Sequence, residues 1–172
     1  MKKIIAMLLV IMSVLALGAC GGTPAATHPS ATEPTNPEKI TYKTYERTIE
    51  GLCNYLDDLG YFVYDYNASA DEAGKSTRKM NAELIGAEKG YQSTYMVEKN
   101  KWIVEVYYYS DATSDEYKEA LTGTFTYDNV EKGSFEITVN NEFAIVVIAP
   151  NGQGERKDAI IKAFKNFYPN AQ

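Results

Sequence analysis

The chain has little of the side-chain chemistry that small catalytic and metal-binding domains use. Its 172 residues include one histidine, one tryptophan and two cysteines. The histidine, His28, lies in residues 21–37, a Pro- and Thr-rich stretch with no aliphatic side chain larger than alanine, so we expect it in a disordered tether. A Ser–His or Cys–His catalytic pair and a histidine-based zinc site are therefore excluded, and we predict neither a metal nor a cofactor.

Positive charge is also scarce. The chain has 17 Lys and Arg against 23 Asp and Glu, and two of the 17, Lys2 and Lys3, lie before residue 20. From residue 20 onward, 15 basic residues therefore stand against 23 acidic ones, a formal charge of −8. Binding to a phosphate backbone needs clustered Lys and Arg, so this balance argues against nucleic acid as a partner. It argues equally against electrostatic docking on anionic lipid head groups.

The longest apolar run, fourteen residues from Ile4 to Leu17, directly follows the two lysines. A membrane-spanning helix needs ~20 apolar residues, so this layout indicates a secretory signal. The run ends in LGAC, whose last residue is Cys20, and this ending resembles the lipobox of bacterial lipoproteins. The resemblance implies that residues 1–19 are removed and that Cys20 is acylated. The protein is then held to a membrane by lipid on Cys20, facing outside the cytoplasm.

The second cysteine, Cys53, has no partner if Cys20 carries lipid, so we expect no disulfide. Cys53 lies on an apolar helical stripe, where a free cysteine behaves as a small hydrophobic core residue. The predicted organisation is a signal peptide at 1–19, a lipidated cysteine with a disordered tether at 20–37, and a single α+β domain at 38–172.

The N-terminal part of this domain has the periodicity of a helix. Apolar residues recur at helical spacing from an Asn36-Pro37 start signal to a stop at Gly60. The apolar positions are Tyr42, Tyr45, Ile49, Leu52, Cys53, Leu56 and Leu59. We then expect a short strand at Tyr61–Tyr66 and a polar, weakly helical region that reaches Ile85.

Two similar units complete the predicted domain. In order they comprise the strands Tyr91–Val97 and Lys101–Tyr109, the helix Thr113–Leu121 opened by a capping box Thr113–Glu116, the strands Ser134–Val139 and Glu142–Ala149, and the helix Glu155–Phe167. This N-terminal helix followed by a ββα-ββα arrangement predicts an antiparallel sheet with helices packed on one face.

Strand alternation identifies one candidate binding face. It places Glu105, Tyr107 and Tyr109 opposite the apolar series that begins at Trp102. Tyrosine combines a flat apolar ring with a hydroxyl, which suits stacking on a sugar or anchoring a protein interface. Cross-strand packing in a core also explains these residues, so both interpretations stay open.

Two other motifs imitate ligand sites. Gly74-Lys75-Ser76 has the end of a P-loop, but Ser69 stands where the pattern needs its first glycine. The acidic residues Asp111, Asp115 and Glu116 lack the glycine of a calcium loop and are better explained as acids at a helix start.

Beyond the lipobox, AELIGAEKGY (residues 82–91) and KWIVEVYYY (residues 101–109) make the domain similar to small lipoproteins of Gram-positive gut bacteria that lack an assigned activity. This resemblance implies no particular chemistry. We expect a non-enzymatic module that binds an envelope protein or peptide. A carbohydrate-binding module and, third, a small hydrolase are the alternatives, and the oligomeric state is left open. A row of exposed rings would favour sugar, whereas an apolar patch would favour protein.

Overall fold

The computed structural model describes residues 40–65, 77–126 and 134–169. Cys20, the predicted tether, Asn36-Pro37 and Gly74-Lys75-Ser76 lie outside these ranges. The described helices are α1 (Ile49–Asp58), α2 (Asp115–Leu121) and α3 (Gly154–Asn166), with short 3-10 helices at Tyr42–Thr44 and Ala82–Ile85. The described strands are β1 (Thr77–Lys79), β2 (Lys89–Val97), β3 (Asn100–Tyr108), β4 (Thr124–Thr126), β5 (Ser134–Glu136), β6 (Thr138–Asn140) and β7 (Phe143–Ile148).

Five of these strands form an antiparallel sheet in the order β1-β2-β3-β7-β6, and β4 pairs with β5 in a separate two-stranded sheet. The hairpin β2–β3 turns through Glu98 and Lys99, which have φ values of 49° and 68°. Positive φ at both central residues matches the twist of the adjoining strands, which favours this two-residue turn. The α+β class and the antiparallel sheet predicted from the sequence are confirmed.

The sheet has a core on each face. On the first face, α1 and α3 cover alternate residues of β3, namely Trp102, Val104 and Val106. On the second face, the intervening Tyr107 packs with Ile85 of the 3-10 helix, with Tyr117 of α2 and with Phe125 of β4. The prediction that the helices pack on one face is therefore right for α1 and α3 and wrong for α2. Both faces of β7 are apolar for this reason.

The N-terminal helix starts later than its periodicity predicts. It begins at Ile49, where the Thr48 hydroxyl accepts a hydrogen bond of 3.0 Å from the backbone N–H of Gly51. The chain before it folds back so closely that a Cβ on Gly51 would lie 2.9 Å from the carbonyl carbon of Glu46 and closer still to its oxygen. Tyr42, in the short 3-10 helix, and Tyr45, just after it, therefore contact the core from the segment before α1 and not from α1 itself.

Three other local predictions need correction. Residues 61–65 form no strand, and the region expected to be weakly helical contains β1 before its 3-10 helix. Ser114, not Thr113, caps α2, because its hydroxyl accepts from the N–H of Tyr117 at 3.1 Å while Thr113 bonds to Asp111. The expected strand over 134–139 is interrupted at Ile137, whose N–H donates to Gly123 instead.

The turn between β6 and β7 fixes the end of α3. The buried side-chain amide of Asn140 donates to the carbonyls of Phe164 at 3.0 Å and Phe167 at 2.6 Å. The amide of Asn141 donates to Tyr168, whose own hydroxyl donates to the carbonyl of Tyr45 at 2.6 Å. The first and last described segments therefore meet beside this turn.

Among the helices that the structure describes, none combines the length and the apolar character needed to cross a membrane.

Candidate functional site

A pocket opens on the second face of the sheet, between the elements that cover it. We call it the second-face pocket, and its volume is about 70 Å³. Its lining residues are Ile85, Glu105, Tyr107, Phe125, Phe135, Ile137 and Val146. Six of these seven side chains are apolar or aromatic, and Glu105 is the only one that carries a formal charge.

The carboxylate of Glu105 is held in position by two uncharged donors. The Gln92 amide donates to Oε1 at 2.6 Å, and the Tyr107 hydroxyl donates to Oε2 at 2.8 Å. Gln92 lies directly opposite Glu105 on β2, and Tyr107 lies two residues along β3 on the same face. The side chain is half-buried, and no lysine or arginine in the described part of the chain forms an ion pair with it. Its orientation is therefore fixed, and its charge has no cationic partner among the described residues.

The structure separates the three residues of the sequence-predicted binding face. Tyr107 and Tyr109 are each only 1 % exposed. Tyr109 packs edge-on against Tyr117 of α2, with ring centroids 5.3 Å apart, and does not line the pocket. Tyr107 lines the pocket beside Glu105. The core-packing interpretation is therefore right for both rings, and the pocket joins Glu105 to Tyr107 only.

Residues from β4 and β5 complete the site, and sequence reasoning missed them. Phe125 and Phe135 face each other across this two-stranded sheet and form one wall of the pocket. Each strand has three residues, too few for an alternating pattern to stand out from the sequence. The sequence signal that could have identified these strands is the aromatic residue at the centre of each segment, in TFT and SFE.

Exposed apolar side chains lie on the same side of the sheet as the pocket. The exposed large hydrophobic side chains of the described residues are Leu84 at 62 %, Leu121 at 58 %, Ile148 at 41 % and Phe135 at 37 %. Leu84 and Leu121 belong to elements that pack on the second face, and Phe135 lines the pocket. Ile148 points to the same side of β7 as Val146, two residues away. The exposed apolar surface is therefore concentrated on one side of the molecule.

A second depression, near the start of α1, is charged, and two of its three carboxylates form ion pairs. Arg47 forms a bidentate contact with Glu142 at 2.8 and 2.7 Å, and Lys89 lies 3.8 Å from Glu50. Glu142 and Glu50 therefore already have cationic partners, unlike the carboxylate in the second-face pocket. The third carboxylate of the depression, Glu88, forms no ion pair with a described residue, but it is exposed to solvent and not held beside apolar walls.

Catalytic or metal chemistry finds little support in the described part of the chain. No group of three or more His, Cys, Asp or Glu side chains is placed there to hold a metal ion. Burial raises the pKa of the Cys53 thiol well above its usual value, and nearby Glu50 and Asp57 raise it further. This thiol remains protonated and is a poor nucleophile, which confirms its predicted place in the core.

No protein-family model, no curated protein and no solved structure matches this chain. The site must therefore be interpreted from its own chemistry.

Proposed function

We propose that this protein is a lipid-anchored, extracytoplasmic binding module that holds an apolar segment of an envelope protein or peptide at the second-face pocket. The observation that supports it is that the exposed large apolar side chains of the described residues lie on the pocket's side of the sheet. Apolar side chains gathered on one surface are typical of a protein interaction site. The module has no enzymatic role in this proposal.

The position of the N-terminal segment supports presentation of the pocket away from the anchor. Ile40, Tyr42 and Tyr45 contact the core on the first face, so the chain reaches the domain on the side opposite the pocket. The tether that the sequence predicts at residues 21–37 would average roughly 20–25 Å between its ends, enough to lift the domain off a membrane. Fractionation tests the anchor. We expect the wild type with membranes and Cys20→Ala in the soluble fraction, and an unchanged distribution would contradict lipidation.

Sugar binding is supported less well. Stacking on a sugar needs exposed rings, whereas Tyr107 and Tyr109 are buried. A glycan array tests this alternative directly. A glycosidase needs two carboxylates, one on each side of the scissile bond, whereas a single carboxylate, that of Glu105, lines the pocket.

Site-specific crosslinking on live cells tests the proposal. A photo-crosslinking amino acid at Leu84, beside the pocket, is compared with the same amino acid at Lys162 on the exposed side of α3. We expect a discrete adduct from position 84 only, and we expect Phe135→Ser to reduce it by removing one pocket wall. Equal adducts from both positions, or none from position 84, would contradict a binding role for this face.

A further inference from the structure

The second-face pocket combines apolar walls with one negative charge that no described cation pairs with. Ile85, Ile137 and Val146 contribute aliphatic surface, and Glu105 contributes the carboxylate. Gln92 and Tyr107 each donate to one oxygen of this carboxylate and fix its plane. Neither donor carries a positive charge, so the site is preorganised for a group that does.

The cations on this face of the sheet lie at a distance from the carboxylate. Arg78, Gln92 and Glu105 occupy consecutive strands in one cross-strand row, so Gln92 lies between the two charges. Lys101 is on the same face of β3 but four residues away, roughly 13 Å along a strand. Neither residue lines the pocket or forms an ion pair with Glu105.

We propose that the second-face pocket binds an aliphatic cation, the chemistry of a lysine or arginine side chain presented by the partner protein. The methylene stem contacts the aliphatic walls, and the charged head contacts the free side of the Glu105 carboxylate. This inference rests on the proposed function, because it states which side chain of the partner enters the pocket.

The size of the pocket and the charge of the chain agree with such an occupant. The pocket, at about 70 Å³, is smaller than the ~150 Å³ cavity that binds benzene, so it accommodates part of a side chain and not a whole ligand. Long basic side chains readily place their methylenes on apolar surface while the charged end stays in a polar environment. The formal charge of −8 from residue 20 onward also favours encounter with a basic segment.

A titration with a minimal lysine mimic tests the inference. Amide resonances of the full mature protein are followed during addition of n-butylammonium chloride, with 1-butanol as the uncharged analogue and sodium chloride as the ionic control. We expect saturable shifts at Glu105, Ile137 and Val146 with n-butylammonium, and binding of 1-butanol at least tenfold weaker. Glu105→Gln should weaken n-butylammonium binding at least tenfold, whereas Glu155→Gln, an exposed acid at the start of α3, should not.

The inference is overturned if 1-butanol binds as tightly as n-butylammonium, if Glu105→Gln binds as the wild type does, or if no saturable shift occurs. The crosslinked adduct from position 84 separates this inference from the function on which it rests. An adduct lost in Phe135→Ser but retained in Glu105→Gln refutes the cation and leaves the binding module standing. An adduct lost in both variants supports the cation.

Discussion

Replacing Gly51 with alanine should destabilise the protein, although the same change stabilises most helices. Gly51 is the third residue of α1, and alanine is preferred over glycine in helices by ~0.8–1.0 kcal/mol. The chain around Glu46 leaves no room for the added methyl group. Its Cβ would lie 2.9 Å from the Glu46 carbonyl carbon and 3.2 Å from the Glu46 nitrogen, with the carbonyl oxygen closer than either. These are backbone atoms, so no side-chain rotation relieves the clash.

The clash should outweigh the gain in helix propensity. Inserting a methyl group into a closely packed site costs ~1–3 kcal/mol, and the backbone must also move here, so we expect a net loss of ~1–3 kcal/mol. An unfolding entropy of ~2.1 cal/mol/K per residue, over the roughly 110 residues that the structure describes, makes 1 kcal/mol equal to about 4 °C. Gly51→Ala should therefore lower the Tm by about 4–12 °C.

Gly154→Ala is the matched control. Gly154 is the first residue of α3, and a Cβ there would meet nothing within 4 Å. Calorimetry or circular dichroism of both variants should show Gly154→Ala unchanged or up to about 4 °C more stable. If Gly51→Ala were equally stable or more so, the fold-back of the chain onto α1 would be wrong. A helix that continues upstream of Ile49, as periodicity alone suggests, would then be the better description.

Three further predictions concern the core. Asn140→Ala removes two hydrogen bonds to the end of α3 and should lower the free energy of unfolding by ~1–3 kcal/mol in urea titrations, whereas the exposed Asn166→Ala should change it by less than ~0.5 kcal/mol. Burial raises the pKa of Tyr95 from its usual 10.0 to about 12, which tyrosinate absorbance measures. The stability that this phenol contributes is complete below pH 10 and is lost as the pH rises through 12. Cys53 should react with a disulfide reagent only as the protein unfolds.

Each of these has a clear contradicting result. Equal unfolding curves for Asn140→Ala and Asn166→Ala would show that the turn does not hold α3. A Tyr95 phenol that ionises near its usual pH would show that it is hydrated. Rapid stoichiometric labelling of Cys53 under native conditions would show that the core around it opens.

The longer elements could be predicted from the sequence because each carries its own pattern. The last helix was expected at Glu155–Phe167 and lies at Gly154–Asn166. The hairpin β2–β3 follows from alternation through Trp102, Val104 and Val106. Such patterns are local, and local periodicity determines element type more strongly than it determines which elements meet.

The pocket could not be predicted because it depends on contacts between distant segments. Nothing in the sequence of α2 shows that it packs on the opposite face from α1 and α3. Without that placement, Tyr107 and Tyr109 look available for a ligand, whereas α2 and β4 bury them. Glu105 was placed correctly on this face by alternation alone. The donors that fix its carboxylate became visible only with the strand register.

The contact between Tyr168 and Tyr45 also determines when the domain can complete its packing. It joins residues 123 positions apart, and the ring of Tyr168 also lies 4.9 Å from that of Tyr42. The segment around Tyr45, which is synthesised first, therefore cannot complete its packing until Tyr168 has been synthesised. Long-range closure of this kind slows folding, because a large loop must be ordered before the contact forms. A chain truncated before Tyr168 would leave Tyr42 and Tyr45 without these contacts.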